Sequence, residues 1–244
     1  IKRKNNVLIL SRPGFYDNKQ FFIRPSSTDI LVLHQVLIEK EYLPIVNLVK
    51  EKVEFDSIKF IIDAGSNIGL TSIFLNSFFT DAKIIAIEPD ESNFNQLLIN
   101  IEINNLKSKI NALMGALWVN NNDNLTVGNN FKDGGHWAKT VEQGKDIIQN
   151  NSVKPYTLND IINDYSKNNQ IDILKMDIEG TEALLFKSQD FLDTLSKHVR
   201  FLCLEIHKEV LPHVFYFDVL KKQNFGFFNY GETTFCYNKF LLNQ

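Results

Sequence analysis

Phe60-Ile61-Ile62-Asp63-Ala64-Gly65-Ser66-Asn67-Ile68-Gly69 runs from an apolar strand into a glycine-bearing turn, and helical spacing follows to Phe79. Glycines at 65 and 69 let the backbone turn tightly and approach a ligand closely. The helix that leaves the turn presents unsatisfied N–H groups at its start. The spacing is Gly-x-x-x-Gly with an acid two residues before the first glycine, not the dinucleotide fingerprint Gly-x-Gly-x-x-Gly. An anion beside the turn disfavours a pyrophosphate. It favours a cofactor with a cationic amino group and a sulfonium, because Asp63 lowers the cost of bringing positive charge into the site. The competing reading is a strand–helix turn whose glycines serve packing alone.

Outward from this turn the pattern repeats. Lys83–Glu88 is a second apolar run ending in an acid. A helix follows with Phe94, Leu97, Leu98 and Ile101 on one face and Asp90 as its N-cap, and Lys109–Met114 reads as a third strand. Strand, helix, strand, helix, strand at this spacing signifies a parallel sheet with crossover helices, an α/β Rossmann-like fold. After residues 117–156 the pattern resumes. Leu158–Tyr165 reads as a helix, Ile171–Asp177 as a strand, Glu182–Phe191 as broadly helical, Phe201–Ile206 as a strand and Leu211–Lys222 as a helix. A hairpin around Gly231 closes the chain. Asp29–Leu48 has helical spacing, with Thr28 or Asp29 as its cap and Pro44 ending or kinking it. Residues 1–57 are therefore expected to form an N-terminal helical extension, and residues 58–244 the main α/β domain.

Residues 117–156 are rich in Asn, Asp and Gly. They read either as a surface loop with one β-hairpin or as an insertion over the active site. His136-Trp137 within them would line an acceptor pocket or form an exposed loop pair.

The 244 residues, 44% of them hydrophobic, suffice for one domain with a sizeable core. A net charge of −3 argues against a broad basic face for nucleic acid. No nucleic-acid partner is expected. No run reaches the roughly 18 apolar residues of a membrane span. Cys203 and Cys236 form no CxxC pair and have no zinc spacing, and Cys203 sits in an apolar run as a buried thiol. A reducing cytoplasm is the expected location.

Three further acids stand at strand ends. Glu88 lies 23 residues after Gly65, where a carboxylate accepts both hydroxyls of a ribose. Acid, turn and acid together point to adenosine without phosphate, hence S-adenosylmethionine or its product. In Asp172-Ile173-Leu174-Lys175-Met176-Asp177-Ile178-Glu179-Gly180, Lys175 and Asp177 share a face near the strand's C-terminal end. Asp177 is expected at the methionine part of the cofactor or at the acceptor, and Glu179 likewise from the next turn. The plainer alternatives are that both acids favour the following helix N-terminus and that Lys175 pairs with a carboxylate. In Cys203-Leu204-Glu205-Ile206-His207, His207 is a candidate base oriented by Glu205. The expected catalytic set is thus His207, Asp177, Glu179 and Lys175. A divalent metal held by Asp177, Glu179 and His207 is conceivable, but the sequence does not establish one.

These clusters resemble the FkbM family of methyltransferases. The likeness runs through the turn at residues 60–69, Ala86-Ile87-Glu88-Pro89 with Asn93 and Asn100, Gly115-Ala116-Leu117, Leu174-Lys175-Met176-Asp177-Ile178-Glu179-Gly180-Thr181-Glu182 and Leu204-Glu205-Ile206-His207. It covers about residues 58–238 and extends loosely to Arg24–Tyr42. The resemblance implies a class I methyltransferase sheet of seven strands with the last antiparallel. It implies O-methylation of a natural product or a sugar hydroxyl. It also implies that Asp63, Gly65, Asn67, Gly69 and Glu88 hold the cofactor, with Ala116 near the adenine; Ser66 in the turn and Asp177 are expected at the same site. The rival readings are a nucleotide-dependent oxidoreductase on a similar sheet and a cofactor-binding homologue without turnover.

Overall fold

A computed structural model describes residues 2–4, 7–9, 19–24, 27–128, 140–143 and 152–242. In chain order, β1 (Lys2–Lys4), β2 (Val7–Ile9) and β3 (Gln20–Phe22) form a small antiparallel sheet. α1 (Asp29–Leu33), a π-helix (His34–Ile38) and α2 (Leu43–Lys52) follow. Then come β4 (Phe60–Ala64), α3 (Leu70–Phe78), β5 (Lys83–Glu88), α4 (Glu91–Ile103) and β6 (Ile110–Met114). Four short strands, β7 (Ala116–Leu117), β8 (Leu125–Gly128), β9 (Thr140–Gln143) and β10 (Ser152–Val153), precede β11 (Pro155–Tyr156). The chain continues through α5 (Leu158–Tyr165), β12 (Ile171–Met176), α6 (Glu182–Leu185), α7 (Gln189–His198), β13 (Val199–Glu205) and α8 (His213–Lys222). It closes with β14 (Phe225–Tyr230), β15 (Thr233–Asn238) and α9 (Lys239–Leu242).

Seven strands make one sheet in the order β14-β15-β13-β12-β4-β5-β6. All neighbours pair in parallel except those of β15, so the last strand alone runs against the rest. This is the class I methyltransferase arrangement that the family resemblance implied. Strands buried on both faces read as near-continuous apolar runs, and β4 is buried at every residue. One core layer packs α2, α3 and α4 under the sheet through Ile61, Phe74, Leu97 and Phe201. The other packs α5, α7 and α8 through Ile62, Ile161, Leu195 and Tyr216. The chain order reverses between β4 and β12, and in open α/β sheets a ligand crevice opens at that switch point. Cys203 is buried, as its apolar run requires.

Residues 1–57 are more than a helical extension, because a three-stranded sheet precedes the helices. Its third strand is fastened to α4 by side chains one turn apart. The Asn104 amide accepts from Gln20 N and donates to Gln20 O, Asn100 Oδ1 accepts from Phe22 N, and Gln96 Nε2 donates to Phe22 O. Residues at i, i+4 and i+8 share a helix face, so one polar stripe of α4 takes the place of a neighbouring strand. Arg24 adds a bidentate pair with buried Asp29 and bonds to Ser92 and Asn93. Asn100 is fully buried and also donates to Ile68 O. Asn100→Leu orphans the Phe22 N–H and the Ile68 carbonyl at about 1–3 kcal/mol each. A loss of about 2–4 kcal/mol in urea denaturation is expected, and an unchanged midpoint would mean that this stripe does not hold the extension.

Three local expectations change. Pro44 begins a helix instead of ending one: it occupies the first turn of α2, after a break at Lys40 with φ +58°, where a missing N–H costs nothing. The helix expected across Glu182–Phe191 divides into α6 and α7, because Ser188 turns extended and caps the second. The described residues between 116 and 156 form β7 to β11, with β8 between β9 and β10 and β11 parallel to β7. His136 and Trp137 lie outside the described residues. Among the described residues, no helix is long and apolar enough to cross a membrane.

Candidate active site

The turn after β4 is built as the glycine spacing demands. Gly65 has φ +74°, and a Cβ there would lie 1.7 Å from the Asp177 carbonyl oxygen. Gly69 has φ +85°, and a Cβ there would meet Leu97 at 2.4 Å. Gly65 therefore sits at the cleft, whereas Gly69 serves the packing of α3 on α4. The Gly65 and Ser66 N–H groups both donate to Ile87 O, and the Asn67 N–H donates to Glu88 Oε2. These turn amides are spent within the protein rather than held out to a phosphate. Ser66 and Asn67 line the cleft, and the Ser66 hydroxyl is buried with no protein partner.

Glu88 is 5% exposed and lines the same cleft. Its carboxylate accepts from Asp90 N–H at 3.0 Å as well as from Asn67 N–H at 2.8 Å. Burial pushes its pKa up to about 7, with the backbone donors at Asp90 and Asn67 pulling the other way.

Asp63 is placed differently from the sequence expectation. It is fully buried beneath the turn, where Oδ2 accepts from Ser72 Oγ at 2.6 Å and Oδ1 lies 3.3 Å from Lys175 Nζ. It is not among the residues that line the cleft. Its charge is met by Lys175, its register partner on β12.

Lys175 itself is 2% exposed and donates to Gly65 O at 2.7 Å and Ala64 O at 3.3 Å. Burial alone would lower its pKa. The carboxylates of Asp63 and Asp177 outweigh that and hold it above its ordinary value. Lys175 thus braces the turn from below as a fixed cation.

The acids at the C-terminal ends of β12 and β13, Asp177, Glu179 and Glu205, also line the cleft. Asp177 lies 3.7 Å from Lys175 Nζ. Glu179 takes the left-handed conformation at φ +53°, a strained choice for a residue with a Cβ. Its pKa is raised, chiefly by burial. Burial, joined by the nearby Asp177 charge, raises Glu205 to about 9.

His207 is 5% exposed. Its Nδ1 lies 2.6 Å from buried Glu182, and its Nε2 lies 3.3 Å from Glu179. Burial alone would lower its pKa, but bonds from Glu179 and Glu182 push it up to about 11. The expected base is therefore an imidazolium near neutral pH, a donor and not an acceptor. Asp177, Glu205 and His207 bring ligand atoms within 4.8 Å of one another. That grouping has Glu205 where the sequence reading had Glu179. His207 is engaged by carboxylates on both ring nitrogens, and we give it no metal role.

Ala116 lines the cleft beside Gly115 and Leu117, with its N–H bonded to Lys154 O across the β7–β11 pair. Val141 of β9 also reaches the cleft, so the Asn- and Gly-rich stretch contributes at least one wall residue.

The sequence reading missed the wall supplied by the extension. Gln35 and Val36 of the π-helix, with Glu41 and Tyr42 after it, face the cleft. Glu41 is buried, accepts from Thr233 Oγ1 at 2.9 Å and has its pKa raised by burial. The loose likeness over Arg24–Tyr42 was the one sequence signal that touched these residues. A π-helical turn often marks a functional position.

A family model described as the methyltransferase FkbM domain matches residues 63–227. Methyltransferase sdnD of Sordaria araneosa is 28% identical over 156 residues, which is 54% of this chain and 60% of that protein. Methyltransferase 1 of Beauveria bassiana (strain ARSEF 2860) is 25% identical over 150 residues, 56% of this chain and 60% of that protein. The matches thus span about 60% of the length of these two relatives. The crystal structure of a methyltransferase FkbM from Methylobacillus flagellatus KT shares the fold with a TM-score of 0.50 and 17% identity, covering 76% of this chain and 44% of that one.

Proposed function

This chain belongs to the methyltransferase FkbM domain family, and on that premise we propose that it is an S-adenosylmethionine-dependent O-methyltransferase acting on a hydroxyl of a sugar or small natural product. The observation that carries the reading is the pairing of Glu88 with the glycine turn at one end of a cleft. A buried carboxylate stands where ribose hydroxyls need an acceptor, the turn amides leave no phosphate cradle, and the Ser66 hydroxyl is buried without a protein partner. Ile87, Pro89 and Leu117 give the adenine an apolar slot.

When bound, S-adenosylmethionine supplies a methyl group already activated on sulfur. The protein's work is to hold the acceptor oxygen in line with that methyl group and to take its proton. We assign proton removal to Glu179. It lines the cleft, burial raises its pKa above the ordinary carboxylate value and so makes it a stronger base, and its backbone is held in a strained left-handed conformation. His207 acts through it as a positioning residue: the imidazolium, anchored by Glu182, holds one Glu179 oxygen at 3.3 Å. Asp177 stands beside the turn, 3.7 Å from the Lys175 ammonium that holds Gly65 O.

Calorimetric titration with S-adenosylmethionine, and separately with NAD, tests the class. Saturable binding of the first, lost in Glu88→Ala, is expected. Tight binding of NAD alone would revive the oxidoreductase reading. Glu179→Gln is expected to lower kcat by about 100-fold or more while the cofactor Kd stays put. Cofactor binding with no methylated product from any hydroxylated acceptor would instead indicate a homologue without turnover.

A pH dependence follows from Glu88. Only its ionised form accepts from two ribose hydroxyls while keeping its backbone donors. Cofactor affinity is therefore expected to rise with pH through about 7 and then level off. Glu88→Gln should flatten that profile. Stability runs the other way. The folded-state pKa is raised above the ordinary value, so Glu88's contribution is fully present below about 4.5 and is lost as pH rises through about 7. A melting temperature that climbs over this window in the ligand-free protein, absent other titrations, would contradict the assignment.

A further inference from the structure

We infer that Arg24, in the N-terminal extension, is a positioning residue of the cofactor site, because it holds the Asn93 carboxamide with its N–H₂ group toward Glu88. The inference rests on the S-adenosylmethionine reading of Glu88 and adds to it a part of the chain that carries no cofactor motif.

An arginine side chain carries donors only, so the Asn93 atom 2.8 Å from Arg24 is Oδ1. The amide nitrogen is thereby turned the other way, where Nδ2 lies 3.5 Å from Glu88 Oε1. Asn93 is buried and lines the cleft beside Glu88 and Pro89. Its backbone N–H donates to Asp90 Oδ1 at 2.9 Å. The cap of α4 thus fixes the main chain of Asn93, and Arg24 fixes its side chain.

Arg24 is itself held on several sides. Its backbone N–H and Nε donate to Asp29 Oδ2 at 2.8 and 3.0 Å, and one amino group donates to Asp29 Oδ1 at 2.7 Å. The other amino group donates to Ser92 Oγ at 2.8 Å. Asp29 begins α1, which runs into the π-helix, and Val32, Gln35 and Val36 of these two elements line the cleft. One guanidinium therefore ties the cleft wall of the extension to the wall that carries Glu88. Arg24 lies outside residues 63–227 that the family model matches, so the extension completes a site whose carboxylate belongs to the matched domain.

Glu88 has a use for this donor. Burial favours its neutral form, which cannot serve both ribose hydroxyls, and the Asp90 charge nearby acts in the same direction. The Asn93 amide joins the Asp90 and Asn67 N–H groups in favouring the ionised form. Without Arg24 the carboxamide loses the bond that orients it.

Calorimetric titration of the full chain with S-adenosylhomocysteine separates this role from simple fastening of the extension. Arg24→Gln is expected to weaken binding about 5–10-fold, and Asn93→Ala by a similar factor. Both act on Glu88 by one route, so the double variant should bind no more weakly than Asn93→Ala alone. In each, the pH at which affinity levels off should move upward from about 7, because ionised Glu88 has lost a donor. Asn104→Ala loosens the same extension at β3 without touching Asn93. It should lower the urea midpoint and leave the Kd within about twofold. Arg24→Gln leaves buried Asp29 without its partner. If circular dichroism shows that it does not fold, Arg24→Gln/Asp29→Asn, which leaves no unpaired charge, takes its place.

An unchanged Kd in Arg24→Gln overturns the inference, as do additive losses in the double variant or an equal loss in Asn104→Ala. In all three cases the cofactor reading stands. No binding of S-adenosylhomocysteine by the parent chain would overturn the cofactor reading and the inference with it.

Discussion

Gly65→Ala is expected to abolish cofactor binding and to destabilise the fold by several kcal/mol. The backbone at Gly65 has φ +74°, where an L side chain costs roughly 1–2 kcal/mol. The lack of space costs more. The new Cβ would lie 1.7 Å from the Asp177 carbonyl oxygen and 2.9 Å from its carbon. The obstacle is backbone, so no rotamer change relieves it. Relaxation must separate the turn from the end of β12, where Asp177 N–H bonds to Ala64 O and Lys175 Nζ bonds to Gly65 O. Moving that edge displaces Asp177 and Glu179 together with the Glu88-facing turn.

Gly231→Ala is the control. Its φ is +60°, but nothing lies within 4 Å of the added carbon, so only the conformational cost of about 1 kcal/mol remains. Urea denaturation and calorimetric titration on both variants separate the conformational cost from the steric one. A Gly65→Ala protein that folds and binds S-adenosylmethionine like the parent would show that the close approach of turn and strand end is not needed.

The sheet was legible because each of its central strands is an apolar run stopped by a polar residue. Asp63, Glu88, Asp177 and Glu205 mark four of those stops. Asp90 then announced a helix and caps it through its side chain as its type suggests. Legibility failed where a side chain's meaning depends on something distant in sequence. Strand periodicity put Lys175 and Asp177 on one face but could not say that Lys175 lies beside Asp63, a neighbour only through the β4–β12 register. His207 at a strand end read as a base. Glu182, which makes it a cation, comes 25 residues earlier and reaches it through α6. Glu41 and Tyr42 carry no motif at all. Gln96 and Asn104 of α4 carry no motif either, and they help fasten β3 of the extension to the domain.

The Asp63–Lys175 pair provides the second large effect and decides what Asp63 is for. The two stand in one row across the sheet, flanked by Ala86 on β5 and Cys203 on β13, and both are buried. Removing one partner of a buried ion pair costs about 3–5 kcal/mol, because the other charge stays behind without water. Asp63→Asn leaves Lys175 near Asp177 alone. Lys175→Met leaves Asp63 with only the Ser72 hydroxyl and also takes the donor from Gly65 O. Each single variant is expected to lose about that much stability. The double variant Asp63→Asn/Lys175→Met removes both charges, so its loss should fall short of the sum by about 2 kcal/mol or more.

The same double variant distinguishes two roles for Asp63. If Asp63 offsets the cofactor's positive charge directly, as its place in the sequence suggested, a folded double variant loses S-adenosylmethionine affinity by about 100-fold or more, about 3 kcal/mol. If it serves Lys175 beneath the turn, as the cleft lining indicates, the folded double variant keeps its Kd within about tenfold, the remaining loss reflecting the missing brace at Gly65. We expect the second result. Singles that destabilise independently, with additive losses, would mean that the 3.3 Å approach of Lys175 to Asp63 carries little of the energy that its burial implies.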